Sequence, residues 1–384
     1  MAKKTVRIGV LASTTGPYAA VGITTWYGVM LAIDELRSRN TNIEFDITCC
    51  DPQGDNDQYF QQTRDMLQSG IRHVIGCYTS SSRKIILPLF EKYEALLWYP
   101  AHYEGFESTD HAIYTGTAPN HHIYPMIEFM TSNFGHSAYC IGSDYIWAWE
   151  SNRVFKDEFT RMGGTVLGER YQPVGGTSMS AVIDEIFALE PTFILNTLIG
   201  KSSYHFFREF RARCIARGIE QTQKYPIASC NLSEADLDGI GTQAMDGHYS
   251  SSVYFSSVDS VENKRFVEAY HRKFPEAPLP PVEVEAAYIA THLLAAALEK
   301  ADADDLPAVR EAVCQLRFQA PQGLVYLDPV NFHSYLTPRI GLSKSNGEFQ
   351  IVAQANAPVR PDPYLVNSSA ETMLSDHAIG DHEP

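Results

Sequence analysis

Hydroxyl and aromatic side chains gather in this sequence at the places where chemistry is usually done. Tyr78, Ser80, Ser81 and Ser82 follow one apolar run, and Tyr99-Pro-Ala-His-Tyr103 follows another. Tyr145, Trp147 and Trp149 follow a third, and Asn231 and Ser233 a fourth. Hydroxyls and amides can serve either sense of a hydrogen bond. Aromatic walls with a few such anchors suit a small, neutral, partly apolar ligand. The nearest charged residues, Arg83, Lys84, Glu104 and Glu107, stand one step out in sequence, with Glu104 kept as a candidate. The walls are therefore expected to carry no charge.

Catalytic and cofactor motifs fail in turn. Gly239-Ile-Gly-Thr-Gln-Ala244 has dinucleotide-fingerprint spacing but follows an acidic stretch, not a strand. Gly200-Lys-Ser202 resembles the end of a phosphate loop, but the earlier glycine it needs falls on Leu195. His121 and His122 are adjacent, and neighbours on a helix diverge by about 100°, which disfavours a shared metal. No nucleophile elbow occurs, and the serines at 80–82 lack a base that sequence marks. The expectation is a protein that is not an enzyme, with no cofactor and no metal.

The elements that must position these groups read as α/β. Strands are expected at Val6–Ala12, Ile43–Cys50, His73–Gly76 and Ala95–Tyr99. Helical spacing lies between them, at Ile23–Leu36, Gln58–Leu67 and from Ile85 to about Tyr93. Ser13-Thr-Thr-Gly-Pro17 is the loop after the first strand, and Tyr78–Ser82 a turn in which one serine caps the next helix. Strand, glycine, hydroxyl-rich turn and helix make the C-terminal edge of a parallel sheet, where small ligands usually sit. The alternation restarts after Ala118-Pro-Asn120 and runs through Ala138–Gly142, Ser180–Leu189 and Ile227–Ser229. The fold class is α/β, with two doubly wound parallel-sheet lobes. Late helices at Asn263–Phe274, Glu283–Lys300 and Leu306–Val313 imply a chain that crosses between lobes more than once.

Composition narrows the partners. The 384 residues suffice for two α/β domains, and 44% hydrophobic with 20% charged residues is a globular balance. A net charge of −16 argues against direct nucleic-acid binding and against an anionic membrane face. Met-Ala-Lys-Lys leads straight into the first strand without an apolar leader, so a cytoplasmic protein is expected. Seven cysteines without metal-like spacing fit reduced thiols better than a disulfide frame.

Four blocks carry a family resemblance: Gly76–Lys84, Leu97–Glu107, Tyr114–Asn120 and Gly142–Ile146. They resemble the urea and short-chain-amide branch of the periplasmic-binding-protein family, of leucine/isoleucine/valine-binding type. Ser143–Ile146, Tyr254–Ser257, Ala320–Gly323 and Arg360–Tyr364 are similar, within that branch, to cytoplasmic amide sensors that negatively regulate an aliphatic amidase operon. The likeness runs from Ile8 to about Val366. It implies a type I periplasmic binding protein fold, two lobes around a ligand cleft. Lobe one would be 1–119 plus 253–330, lobe two 120–252 plus 331–366, with 367–384 a loose acidic tail.

Carried over by residue, the resemblance implies that Tyr78, Ser80, Tyr99 and Tyr145 line the pocket and that Asn231 approaches it. Ala101 stands where those sensors have threonine, His102 where they have proline, and Trp147 where they have tyrosine, so these three positions bear on which ligand fits. The implied function is ligand-controlled holding of an RNA-binding antiterminator protein, released by an inducing amide, in a chain that can form a homodimer. The alternative is the solute-binding component of an ABC transporter for urea or short-chain amides.

Overall fold

In a computed structural model of the chain, residues 3–16, 18–39, 41–301, 305–367 and 374 are described. Two compact units form: Met1–Ala118 with Asp259–Leu336, and Pro119–Val258 with Thr337–Pro384. Each draws on two separate stretches of chain.

The first unit holds a five-stranded parallel sheet in the order Ile43–Cys50, Lys4–Leu11, His73–Gly76, Leu96–Tyr99, Ala112–Tyr114. His73–Gly76 and Leu96–Tyr99 are buried throughout, as central strands covered on both faces must be. The helices Ala19–Ser38 and Val282–Ala301 pack together. Gly28 makes that approach possible, because a Cβ there would stand 2.2 Å from the Val284 carbonyl oxygen. Leu11, Tyr59, Met66, Val74, Ile86 and Phe90 belong to a separate core cluster, which the helices Asn56–Gln68 and Ser80–Lys92 help to build. A small sheet of Phe318–Ala320, Gly323–Leu327 and Ser334–Tyr335 completes the unit.

The second unit repeats the strand order with other sequence. Thr165–Gln172, Ser137–Ser143, Phe193–Thr197, Ile227–Ser229 and Tyr249–Ser252 run parallel, and the pair Arg339–Ser343 and Phe349–Gln354 adds an antiparallel edge. Tyr139 and Ile141 enter one core cluster, Ala138 and Cys140 another, as alternation across a strand requires when both faces are covered. The α/β fold with parallel sheets is thus as expected. Among the described residues, no helix is long and apolar enough to cross a membrane.

Two local readings change. The helix expected from Ile85 begins at Ser80, because Thr79 is its cap: Thr79 Oγ1 accepts from the Ser82 amide at 3.2 Å. The serines at 80–82 are therefore its first turn and not a loop. Ala112–Tyr114 is a strand of only three residues, too short to show a period, and Tyr249–Ser252 is a strand that apolar patterning does not mark. The tail expected to be loose, 367–384, lies outside the described residues apart from Asn367 and Leu374, and so does Pro17 of the first loop. The Leu374 amide donates to a Glu128 carboxylate oxygen at 3.1 Å.

Candidate functional site

Strand order points to the edges that matter. In each unit the order reverses beside the first strand of that unit's sheet, and ligands of such sheets bind beyond the strand C-termini at that reversal. In the first unit the reversal lies between Lys4–Leu11 and His73–Gly76, so the loops holding Ser13 and Tyr78 flank it. In the second it lies between Ser137–Ser143 and Phe193–Thr197, flanked by Tyr145 and Leu198.

Gly76 closes its strand at φ +131, and a Cβ there would stand 2.1 Å from the Leu11 carbonyl oxygen. Only glycine lets the chain turn so tightly into Cys77, Tyr78 and the Thr79 cap. Ser80 then points from the first helical turn to Glu104, donating its hydroxyl to Oε2 at 2.6 Å. Arg83, one turn on, is fully buried. Its Nη2 donates to Glu104 Oε1 at 2.9 Å, Nε to Glu107 Oε1 at 2.8 Å and Nη1 to the Tyr99 hydroxyl at 3.1 Å. Its guanidinium lies 4.7 Å from the Tyr103 ring centroid and 5.0 Å from that of Tyr99. Lys84 Nζ stands 3.6 Å from a carboxylate oxygen of both Glu104 and Glu107.

Arg83 and Glu104 stand one step out in sequence and are brought beside Ser80 and Tyr99 by packing. They form a buried ion pair under the strand ends, because the helix turn at 80–84 packs on the 104–107 loop. Burial on its own would raise the Glu104 carboxyl, but Arg83 and the Ser80 hydroxyl overcome it and hold the group below the usual carboxylate range. Burial would likewise discharge Arg83, and Tyr99, Glu104 and Glu107 reverse that and keep it cationic.

The remaining candidates of the first unit divide into wall and support. Tyr99 is fully buried and donates its hydroxyl to the Tyr78 carbonyl at 2.8 Å, so it braces the Tyr78 loop from beneath. Ala101 is buried, and its carbonyl oxygen is 2.0 Å from where a Gly116 Cβ would stand. The His102 ring meets the Tyr78 ring edge-on at 5.9 Å. Burial pushes the His102 pKa down to about 4, against the opposing pull of Glu104, so the imidazole is neutral near pH 7.

In the second unit Tyr145 is the cap residue of Ile146–Arg161, with extended backbone and a half-buried side chain. Trp147 is buried in the first turn, while Trp149 is exposed and donates its indole N–H to Asp144 Oδ1 at 3.2 Å. Asn231 donates to the Leu198 carbonyl at 3.0 Å, tying two strand-end loops together. Ser233 is committed to a capping box with Asp236. Behind them sits a residue that sequence reading missed. Glu234 is 3% exposed and accepts from the Ser256 amide at 2.7 Å, while its Oε2 has no partner. Burial raises its pKa to about 7. An acid opening a helix behind a serine cap gives no sequence signal of that burial.

The family model described as "Periplasmic binding protein domain" matches residues 6–370. The "Leu/Ile/Val-binding protein homolog 6" of Brucella abortus (strain 2308) is 21% identical over 345 residues, 85% of each chain. A solute-binding protein of an ABC transporter from R. palustris, solved with benzoate, aligns at TM-score 0.83 and 18% identity over 94% of this chain and 98% of that one. The branched-chain amino acid transporter substrate-binding protein LivJ of Streptococcus pneumoniae, solved with isoleucine, aligns at TM-score 0.78 and 18% identity over 93% and 100%. A "Limonene hydroxylase" of Geobacillus stearothermophilus is 25% identical over 129 residues, and the match spans only 24% of that protein's length.

Proposed function

The chain belongs to the periplasmic binding protein domain family, and from that premise we propose that it is a non-catalytic solute-binding protein for a small uncharged, amide-like molecule. The observation that carries the ligand class is the charge balance at the first unit's strand ends. Arg83 and Lys84 face Glu104 and Glu107, and the adjoining imidazole of His102 is neutral. The guanidinium directs its three nitrogens to Glu104, Glu107 and Tyr99 and is fully buried, so its charge is matched within the protein. An amide or urea group brings N–H donors and one acceptor without charge, and Ser80, Tyr78 and Tyr145 supply the matching hydroxyls. In this reading Asn231, Ala101, His102 and Trp147 set which amide fits. The best-supported role is that of the solute-binding component of an ABC transporter, the kind of protein the R. palustris structure is described as.

A second reading is favoured by the thiols. All seven cysteines are free, and Cys77, Cys140, Cys214 and Cys230 are buried as thiols. That suits a reducing compartment. There the chain acts as a cytoplasmic amide sensor, controlling an amidase operon by holding an antiterminator protein, in a homodimer or alone.

Calorimetric titration separates these ideas. Acetamide, propionamide, butyramide and urea are titrated beside benzoate and isoleucine. Saturable 1:1 heat from an amide or urea, with none from the two carboxylates, is expected. Tighter binding of benzoate or isoleucine overturns the ligand class. Whether the purified protein pulls down an antiterminator, and loses it on adding the amide, decides between transporter and sensor.

A further inference from the structure

A pocket opens in the first unit, on the other face of its sheet from the Tyr99 network. Leu11 belongs to the core cluster with Tyr59 and Tyr99, while its strand neighbours Val10 and Ala12 point the opposite way and line this cavity. Ile23 and Trp26 of the helix Ala19–Ser38 form the facing wall, and Cys49 lies at the side. The volume is about 310 Å³, at the small end of the range for ligand pockets. It has room for one substituted ring.

One end of this apolar cavity is polar and fixed. Asp51 Oδ2 accepts from the Thr14 hydroxyl at 3.0 Å and from the Thr15 hydroxyl at 2.8 Å, and Oδ1 accepts from the Gln53 amide at 2.9 Å. Against the opposing push of burial, the bonds from Thr15, Gln53 and Thr14 hold this carboxyl below the usual carboxylate range. The pocket thus presents a pinned negative charge at the end of an apolar box walled by an indole. That arrangement repels a carboxylate and welcomes a cation or N–H donor carried on a ring, with Trp26 in the wall as an aromatic contact for it.

We propose that this pocket is a second ligand site, taking a small aromatic molecule that bears an amino group, with the amine at Asp51 and the ring between Val10, Ala12 and Trp26. The site does not depend on the amide reading, since it lies on the opposite sheet face and uses none of the same side chains.

Cys49, accessible at the pocket wall, is the reporter. Benzylamine is added to the purified protein during alkylation with iodoacetamide, and the Cys49 peptide is followed by mass spectrometry. Cys314, also partly accessible in the same unit, is the internal control. Millimolar benzylamine is expected to slow Cys49 several-fold and saturably, to leave Cys314 unchanged, and to be mimicked by neither benzoate nor propionamide. Ala12→Leu fills the box and abolishes the protection. Should that variant not fold, Asp51→Asn must weaken protection by benzylamine while leaving the fold intact. Unchanged Cys49 labelling, protection equal to that by benzoate, or protection that survives both substitutions overturns the proposal.

Discussion

Ser80 and Glu104 are joined by a 2.6 Å hydrogen bond across 24 residues of chain, with the serine hydroxyl donating. The bond fastens the first turn of one helix to the loop beyond the next strand. It also decides how each group meets a ligand. With its proton spent on Glu104, the Ser80 oxygen is left as an acceptor, ready for an amide N–H.

Ser80→Ala removes that acceptor and one of the bonds stabilising buried Glu104. Binding of the preferred amide is expected to weaken by about 0.5–1.5 kcal/mol, and Tyr145→Phe to cost a similar amount if its hydroxyl meets the carbonyl. Calorimetry reads both. Unchanged affinity in the two variants sinks the pocket assignment while leaving the fold intact.

Arg83 is the residue whose loss is expected to hurt folding most. Arg83→Met leaves buried Glu104 and part-buried Glu107 with only the half-exposed Lys84 at 3.6 Å to offset them, costing about 3–5 kcal/mol in urea unfolding. Adding Glu104→Gln and Glu107→Gln to Arg83→Met should return much of that loss. Arg83→Lys should not rescue, because a point charge cannot reach Glu104, Glu107 and Tyr99 together.

Glu234 predicts a stability change near neutral pH. Its folded pKa, about 7, lies above its ordinary value of 4.5, so the folded state holds the proton more tightly than the unfolded one. Its contribution is therefore fully present below pH 4.5 and is lost as pH rises through 7, by at most about 3 kcal/mol. Glu234→Gln should flatten the wild-type decline between pH 4.5 and 7.5. An equal decline in both proteins would show that Glu234 is already ionised in the fold.

Histidine supplies the opposite slope in acid. His102 and His121 are both pushed down by burial to about 4, from an ordinary 6.5, so the unfolded chain binds their protons first. Stability present above pH 6.5 is expected to fall as pH drops toward 4, by about 3 kcal/mol for each group. His121→Gln should remove its share of the acid slope in urea titrations across that range. A slope no smaller than wild type counts against a neutral buried imidazole.

Much of the scaffold was legible because strand and glycine punctuate it clearly. Ile43–Cys50, His73–Gly76 and Ile227–Ser229 end where their apolar runs end, and Ser180–Leu189 where its helical spacing ends. Tyr249–Ser252 was not legible, since three of its four residues are serines. Its burial is satisfied by long-range bonds such as that from Ser250 to the Leu232 carbonyl at 2.6 Å. The charged network escaped for a related reason. Arg83, Glu104 and Glu107 converge only through tertiary packing, and no local period announces residues that meet from 21 and 24 positions apart. The helix start at Ser80 was misplaced because a run of serines reads as a turn unless the threonine before it is recognised as the cap.

The division of each unit between two stretches of chain bears on biosynthesis. When the ribosome has translated as far as Val258, the first unit still lacks Val282–Ala301, the helix that covers Ala19–Ser38, and the second still lacks its antiparallel edge, Arg339–Ser343 with Phe349–Gln354. Neither half can finish on its own schedule. Both must wait, with apolar faces uncovered, until the segments beyond Asp259 have been made, and a chain stopped before Arg339 would hold no completed second unit.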